Sequence, residues 1–293
     1  MHSMSAEAFT LILFSALMHA LWNLLVKRSQ DKTVFIWWMF VSSGTLLNLL
    51  IWIRPEPWPV PTAAVLLLAL GGAICFVLYH LFNGRAYQTG DLSLAYPISQ
   101  TSILYVPIWG MLLFDERLSL IGGLGIFLVL IGTYTIQMQR WSLIELTRPL
   151  RSLDNPSVRA ALLAGFIYSI GAILDKQGVM LYPPLYFTQL LVIMMFGLMT
   201  LNLTRSSYRG RIIAQWRQNC WSILIAGPVM LCSFVAFRYG LQMAPVSYAV
   251  PVRQVSLLIA VTIGVLFLAE RFGRVRFLAS CLILAGVFLI RFG

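Results

Sequence analysis

The chain has 293 residues, 59% of them hydrophobic and only 11% charged, with 21 Lys and Arg against 10 Asp and Glu; its mean hydropathy is +0.84. A soluble domain carries about 25% charged residues, so this composition excludes disorder, a coiled coil, a collagen-like rod and a disulfide-stapled secreted domain, and argues against an ordinary soluble enzyme. A polytopic membrane protein remains, and the net charge of +11, which would suit nucleic-acid binding, must be read from where the cations fall.

Residues 1–7 lack a basic n-region, and the apolar run 8–26 has no small-x-small cleavage site, so it reads as a retained first span. Within it His19, Trp22 and Asn23 are spaced i, i+3, i+4 and share one helix face, which should avoid lipid. Span two, 34–53, follows the basic turn Lys27–Lys32 and ends at the proline-rich stretch Arg54–Pro61. Span three, 62–84, brings a similar polar group of Tyr79, His80 and Asn83. The two histidines could bind substrate or carry a proton, or each could simply hold a satisfied hydrogen bond. Spans four and five cover 93–114 and 119–137, after the turn Thr89-Gly90-Asp91.

The polar stretch Gln137–Val158 splits the chain near its middle, and a second runs from Thr204 to Asn219. Spans six to ten follow at 158–176, 184–203, 219–241, 246–268 and 274–291. Each is close to the ~20 apolar residues that a spanning helix needs, and all are too long for barrel strands. Cys75, Cys220, Cys232 and Cys281 show no CxxC spacing and read as apolar filler, so no metal and no cofactor is expected.

Sliding the chain by 154 residues reveals an internal repeat. Gln88 falls on Gln242, Ser93 on Ser247, Ala95 on Ala249, Pro97 on Pro251 and Gln100 on Gln254. The match continues without a gap through Ser102 and Ser256, Gly110 and Gly264, Glu116-Arg117 and Glu270-Arg271, and Gly132 and Gly286. More weakly, Leu25-Val26-Lys27 resembles Leu174-Asp175-Lys176. The predicted fold is therefore an all-α membrane protein of ten transmembrane helices in two five-helix repeats, 1–139 and 158–293, joined by a basic loop at 140–157. An odd number of spans makes the second half enter from the opposite side. The repeats are then inverted, an arrangement that in transporters places the substrate near the midplane between them.

Candidate site residues follow from what is costly inside a membrane. Pro97 and Pro251 sit at matched places in spans four and nine, where a broken helix would open a cavity; the alternative is a packing bend. Gln100 and Gln254 lie one turn further on, poised for interhelical hydrogen bonding or for substrate. Arg253 has Ser99 as its counterpart and breaks the symmetry. A guanidinium in a span costs at least about 2.5 kcal/mol, and its planar donors suit a carboxylate or phosphate. It would hold an anionic group of the substrate, pair with Asp175, or snorkel. Tyr96, Tyr105, Trp109, Tyr168, Phe234 and Tyr248 could line the site or serve packing and the interfacial belts. Glu116-Arg117 and Glu270-Arg271 read as helix-end caps and local ion pairs. The expected substrate-binding set is Arg253, His19, Trp22, Asn23, His80, Asn83, Tyr96, Gln100, Tyr248 and Gln254, with helix breaks at Pro97 and Pro251 and no catalytic residue.

If alternate loops lie on one side, side one receives Arg54, Arg117, Lys176, Arg238 and Arg291, and side two receives fifteen cations from Lys27 to Arg276. The positive-inside rule then puts side two in the cytoplasm and both termini outside. Such scattered cations near anionic headgroups are a topology signal, so nucleic acid is not expected as a partner. The expected partners are the lipid bilayer of a plasma (inner) membrane and a small-molecule substrate, with the chain acting as a monomer.

The same repeated residues carry a family resemblance. Ala86-Tyr87-Gln88, Leu94-Ala95-Tyr96-Pro97, Gly110 through Leu118 and Gly132 resemble the EamA type of the drug/metabolite transporter superfamily. Tyr239 through Gln242, Ala249-Val250-Pro251, Glu270-Arg271 and Gly286 resemble a second copy, and His19–Asn23 with Lys27-Arg28-Ser29 resembles a subgroup. The resemblance implies a ten-helix inverted-repeat carrier of metabolites, an exporter or exchanger of an amino-acid-like or anionic molecule. It also implies cytoplasmic termini, against the charge distribution. Relatives in the superfamily couple protons through a carboxylate in span one, and no acid follows Glu7 there. A channel or scaffold is the alternative. An intramembrane enzyme is disfavoured, since HExxH, GxSxG and paired intramembrane Asp are all absent.

Overall fold

The computed structural model describes residues 4–89, 98–136, 138, 142, 144, 147, 151–203, 208–268 and 273–293, with backbone alone at 87–89, 202 and 264–268. Tyr96, Pro97, Glu270 and Arg271 lie outside the described residues. The described chain folds as α1 (Ala6–Arg28), α2 (Lys32–Trp52), α3 (Ala63–Thr89), α4 (Ser102–Phe114), α5 (Leu120–Thr135), α6 (Pro156–Leu181), α7 (Pro184–Leu203), α8 (Arg209–Met243), α9 (Val246–Arg253), α10 (Val255–Leu268) and α11 (Arg274–Phe292). Eight helical stretches are long and apolar enough to cross a membrane, α9 and α10 contributing one between them, and α4 and α5 are shorter apolar helices.

Local chemistry sets the boundaries. Ser5, Asp31, Ser119 and Asn155 cap α1, α2, α5 and α6, each side chain accepting a backbone N–H of the first turn. Pro156 occupies the first turn of α6, where its missing N–H is harmless. The proline-rich stretch after α2 cannot continue a helix, and Tyr182 Oη pins it by donating to the Pro59 carbonyl at 2.6 Å. Large apolar side chains point outward, Leu67 at 69% exposure and Leu112 at 67%. Lipid, not water, is the medium that suits them.

Two elements differ from the predicted spans. Helix α8 begins ten residues early: non-helical Asn219 (φ −133°, ψ 19°) separates a preceding helical segment from the spanning part. That segment docks on α2, with Trp38 Nε1 donating to the Ile212 carbonyl and Arg211 paired with Asp31. Span nine divides into α9 and α10 around Gln254, whose N–H bonds to the Pro251 carbonyl three residues back. Span four tightens at the matched place, with Thr101 N–H bonded to Ile98 O and Ile103 N–H to Gln100 O. The breaks thus fall at Gln100 and Gln254, one turn beyond the prolines that predicted them.

Equivalent spans of the two halves pack antiparallel. In α2 and α7, Trp37 meets Thr200 and Asn48 meets Gln189. Spans four and nine join Gln100 to Gln254 at one level and Gly110 to Ser247 at another. Between α5 and α11, Gly125 faces Gly286 while Gly132 faces Ala279, two contacts that exchange under the 154-residue shift.

The strongest packing crosses the halves: α3 lies against α6, α5 against α11, α1 against α8, α8 against α2 and α3 against α7. Two symmetry-related bundles result, one of α1, α2, α8 and the broken helix α9/α10, the other of α6, α7, α3 and α4. Registers are fixed by named contacts. Ser15 bonds to Ser233, with Gly240 against Ala8, so α1 and α8 are antiparallel. Arg238 bonds to Asp175, and Gln242 to the Val179 carbonyl, so α8 and α6 are parallel. The Tyr79 ring packs at a tilt against Tyr168, and Gly71 faces Leu174, so α6 and α3 are antiparallel.

Candidate functional site

Arg253 occupies the last turn of α9, where the C-terminal end of the helix dipole favours a cation. The break at Gln254 lets its side chain turn inward. Its Nη2 lies 3.3 Å from His19 Nδ1, and its guanidinium carbon stands 4.2 Å from the centre of the Phe237 ring. Its Nε is buried without a partner. Tyr168 on α6 interacts electrostatically with Arg253, as does His80 on α3 with His19. Tyr79 extends the group by ring contacts to both Tyr168 and His80.

The structure therefore brings Arg253, His19 and Trp22 together, with His80 in electrostatic reach of His19 and Asn83 one turn beyond His80 on α3. The Trp22 ring sits edge-on to His19 at 5.0 Å. Trp22 and Asn83 are 5% and 7% exposed, and Trp22 Nε1 and Asn83 Oδ1 have no partner. A buried polar atom left unpaired costs about 1–3 kcal/mol. Gln100 and Gln254 meet each other, Gln254 Nε2 donating to Gln100 Oε1 at 3.3 Å. They form an interhelical bond between matched positions of the two halves. Asn23 is turned to its own helix, donating to the His19 carbonyl at 2.8 Å.

Tyr248 stands apart from the cluster: its phenol oxygen accepts the Ser119 N–H at the start of α5. Among the other aromatics, Trp109 donates to Ser169 Oγ, Tyr105 packs edge-on against Phe166, and the Phe234 ring lies under Arg238. Phe237, directly under Arg253, had no signal in the repeat or the spacing that could have singled it out.

Four charged groups differ from their expected roles. Asp175 does not pair with Arg253; it accepts from Arg238 Nε at 2.7 Å, with both side chains almost fully buried. Arg238 and Lys176 are thus not loop cations of side one. Lys176 Nζ donates to the carbonyls of Leu241 and Ala244, at 2.8 and 2.9 Å, where α8 ends. Glu116 is a cap, but across the halves: its carboxylate accepts the N–H groups of Val246 and Ser247 and the Ser247 hydroxyl at the start of α9. A cation at the C-terminus of α8 and an anion at the N-terminus of α9 both oppose the helix dipoles correctly. Together they fix the turn that aims α9 at the cluster.

A separate groove of about 840 Å³ opens between α2 and α7, lined by Phe40, Asn48, Trp52, Val192 and Phe196 with Arg54 at its mouth. None of His19, His80, Tyr168 and Arg253 lines it.

The model of the EamA-like transporter family matches residues 7–138 and again 156–292. No curated protein matches the chain. A solved structure described as "Crystal structure of protein" shares the fold, with a TM-score of 0.68 over 98% of this chain and 96% of that one at 16% identity.

Proposed function

The chain belongs to the EamA-like transporter family, and from that premise we propose that it is a secondary carrier of a small polar metabolite bearing an anionic group, working by alternating access as an exporter or exchanger. The observation that carries this reading is the position of the polar cluster. Arg253 and His19 come from one bundle, and His80 and Tyr168 from the other, so the cluster lies on the seam between two symmetry-related bodies. A site on such a seam is reached from either face as the bodies tilt. Antiparallel packing of equivalent spans supports inverted repeats, in which two opposite tilts are related in geometry.

Arg253 supplies the anion site. It has an unpartnered donor, an aromatic face beneath it and no carboxylate of its own, because Asp175 is bound to Arg238. The chemistry asked of the protein is binding and release, with no bond made or broken. Burial of Lys176 and Arg238 leaves Arg54, Arg117 and Arg291 as the cations of side one. The larger excess on side two supports a plasma-membrane protein with basic loops in the cytoplasm.

The test is counterflow of labelled substrate in proteoliposomes after a metabolite screen by thermal shift. A carrier shows trans-stimulation; a channel does not. Arg253→Ala is expected to abolish counterflow while the purified chain remains folded. Full activity in that variant would sink the anion-site reading.

A further inference from the structure

The groove between α2 and α7 runs from Phe40 and Phe196, inside the two helices, to Arg54, Glu56 and Trp58 beyond the end of α2. From Phe40 to Trp52 the helix rises about 18 Å, a little more than half of the ~30 Å hydrocarbon core, so the groove is about one leaflet deep. Its wall is mostly aliphatic and aromatic. It opens on the outer surface of the helices, since Leu49, Trp52 and Ile193 all line it and all are exposed. Asn48, the amide in the wall, is already engaged: it donates to the Gly44 carbonyl at 2.7 Å and accepts from Gln189 Nε2 at 2.6 Å. A slot of this depth and lining, open along its side to hydrocarbon, suits an acyl chain better than a polar solute.

The mouth has a different chemistry. Arg54 and Glu56 stand two residues apart, both exposed. Among the described residues neither belongs to an ion pair. The stretch that bears them is held in shape. Prolines at 55, 57 and 59 fix φ, Tyr182 Oη donates to the Pro59 carbonyl, and the Trp58 ring packs on Tyr186 with centroids 6.2 Å apart. Trp52 is 83% exposed and Trp58 48%, as suits tryptophans at the level of lipid headgroups. The groove thus joins an apolar slot to one free cation and one free anion at its rim.

We propose that this groove binds a bilayer phospholipid with a primary-amine headgroup, phosphatidylethanolamine, with one acyl chain in the slot, the phosphate against Arg54 and the ammonium against Glu56. The guanidinium fork matches phosphate oxygens, and a primary ammonium has three N–H donors to offer the carboxylate. The quaternary ammonium of phosphatidylcholine has none, and phosphatidylglycerol brings no cation to Glu56. Because α2 and α7 belong to different bundles, the bound lipid bridges the seam between them.

The experiment titrates the purified full chain, in detergent micelles, with the dioleoyl forms of phosphatidylethanolamine, phosphatidylcholine and phosphatidylglycerol, and counts bound lipid by native mass spectrometry. One phosphatidylethanolamine per chain is expected to bind about fivefold more tightly than either of the others. Glu56→Gln should erase the preference over phosphatidylcholine while binding persists, and Arg54→Gln should weaken all three lipids, since each carries a phosphate. Thr45→Trp fills the slot from an exposed position on α2, and Ile193→Trp fills it from α7, so misfolding of one leaves the other to decide; the folded variant should lose the bound lipid. Equal affinity for the three lipids overturns the proposal, as does undiminished binding to a folded variant with the slot filled. A lipid-free dimer that the same variant breaks would give the groove to a second copy of the chain, and overturns it too. Binding is read without transport, so the result is independent of the carrier reading and of Arg253.

Discussion

Arg238 Nε and Asp175 Oδ1 face each other at 2.7 Å with side chains 5% and 3% exposed. Removing one partner of such a pair strands the other charge where water cannot reach it, at about 3–5 kcal/mol. Asp175→Asn should therefore lower the melting temperature of the purified chain sharply. The double replacement of Asp175→Leu with Arg238→Met should recover most of the loss, because two apolar groups need no partner. A single variant as stable as the parent would show that the pair contributes nothing. Sequence made Asp175 conspicuous as an acid beside a span interior but pointed to Arg253 as its partner, because Arg238 read as a loop cation. The choice depends on α6 and α8 running parallel in a register that no motif encodes. Gln100 and Gln254 were legible as a matched polar pair inside the spans, but their meeting was not, for the equally matched Gly132 and Gly286 face other partners.

At the scale of elements, glycine decides how closely α5 and α11 approach. A Cβ on Gly286 would stand 2.5 Å from the Gly125 carbonyl oxygen and 2.8 Å from Val129 N. Both obstacles are backbone, so neither can rotate away. Gly286→Ala should force the helices apart, costing about 1–3 kcal/mol. Gly123, on the same α5, has open space around its would-be Cβ, and Gly123→Ala should be neutral or mildly stabilising. Thermal unfolding of the two variants side by side checks the difference; equal effects would mean that helix propensity, not close approach, sets the cost. The repeat flagged Gly132 and Gly286 together, and small residues at span interfaces are a general sign of close packing. The cross-half caps were only half legible. Glu116 sat at a helix end as a cap should, but the helix it caps belongs to the other repeat. The segment before Asn219 was missed because its arginines and glutamines obscure any apolar period, and its place comes from docking on Trp38 and Asp31.

At the scale of the molecule, ten spans in two repeats can be read from periodicity and the 154-residue shift, yet the units that pack are not the repeats. Interleaving of α1 with α8 and of α3 with α6 means that rocking of one sequence half against the other would tear two of the three most extensive contacts in the structure. Rocking of the two mixed bundles spares them and instead works a seam joined by polar links: Asn48 to Gln189, Trp37 to Thr200, Gln254 to Gln100 and Arg238 to Asp175. Such links exchange partners more readily than interlocked apolar surfaces slide. Paired cysteines can tell the two motions apart. The would-be Cβ of Gly44 lies 3.5 Å from Val192 Cγ1, so Gly44→Cys with Val192→Cys ties α2 of one bundle to α7 of the other. The hydroxyls of Ser15 and Ser233 lie 3.3 Å apart, so Ser15→Cys with Ser233→Cys ties α1 to α8 inside one bundle. Both bridges join residues from different sequence halves. Under motion of the bundles, oxidation should arrest counterflow only in the Gly44–Val192 pair, and a reductant should restore it. Under motion of the halves, both pairs would arrest it, and that result would dissolve the bundles as moving bodies.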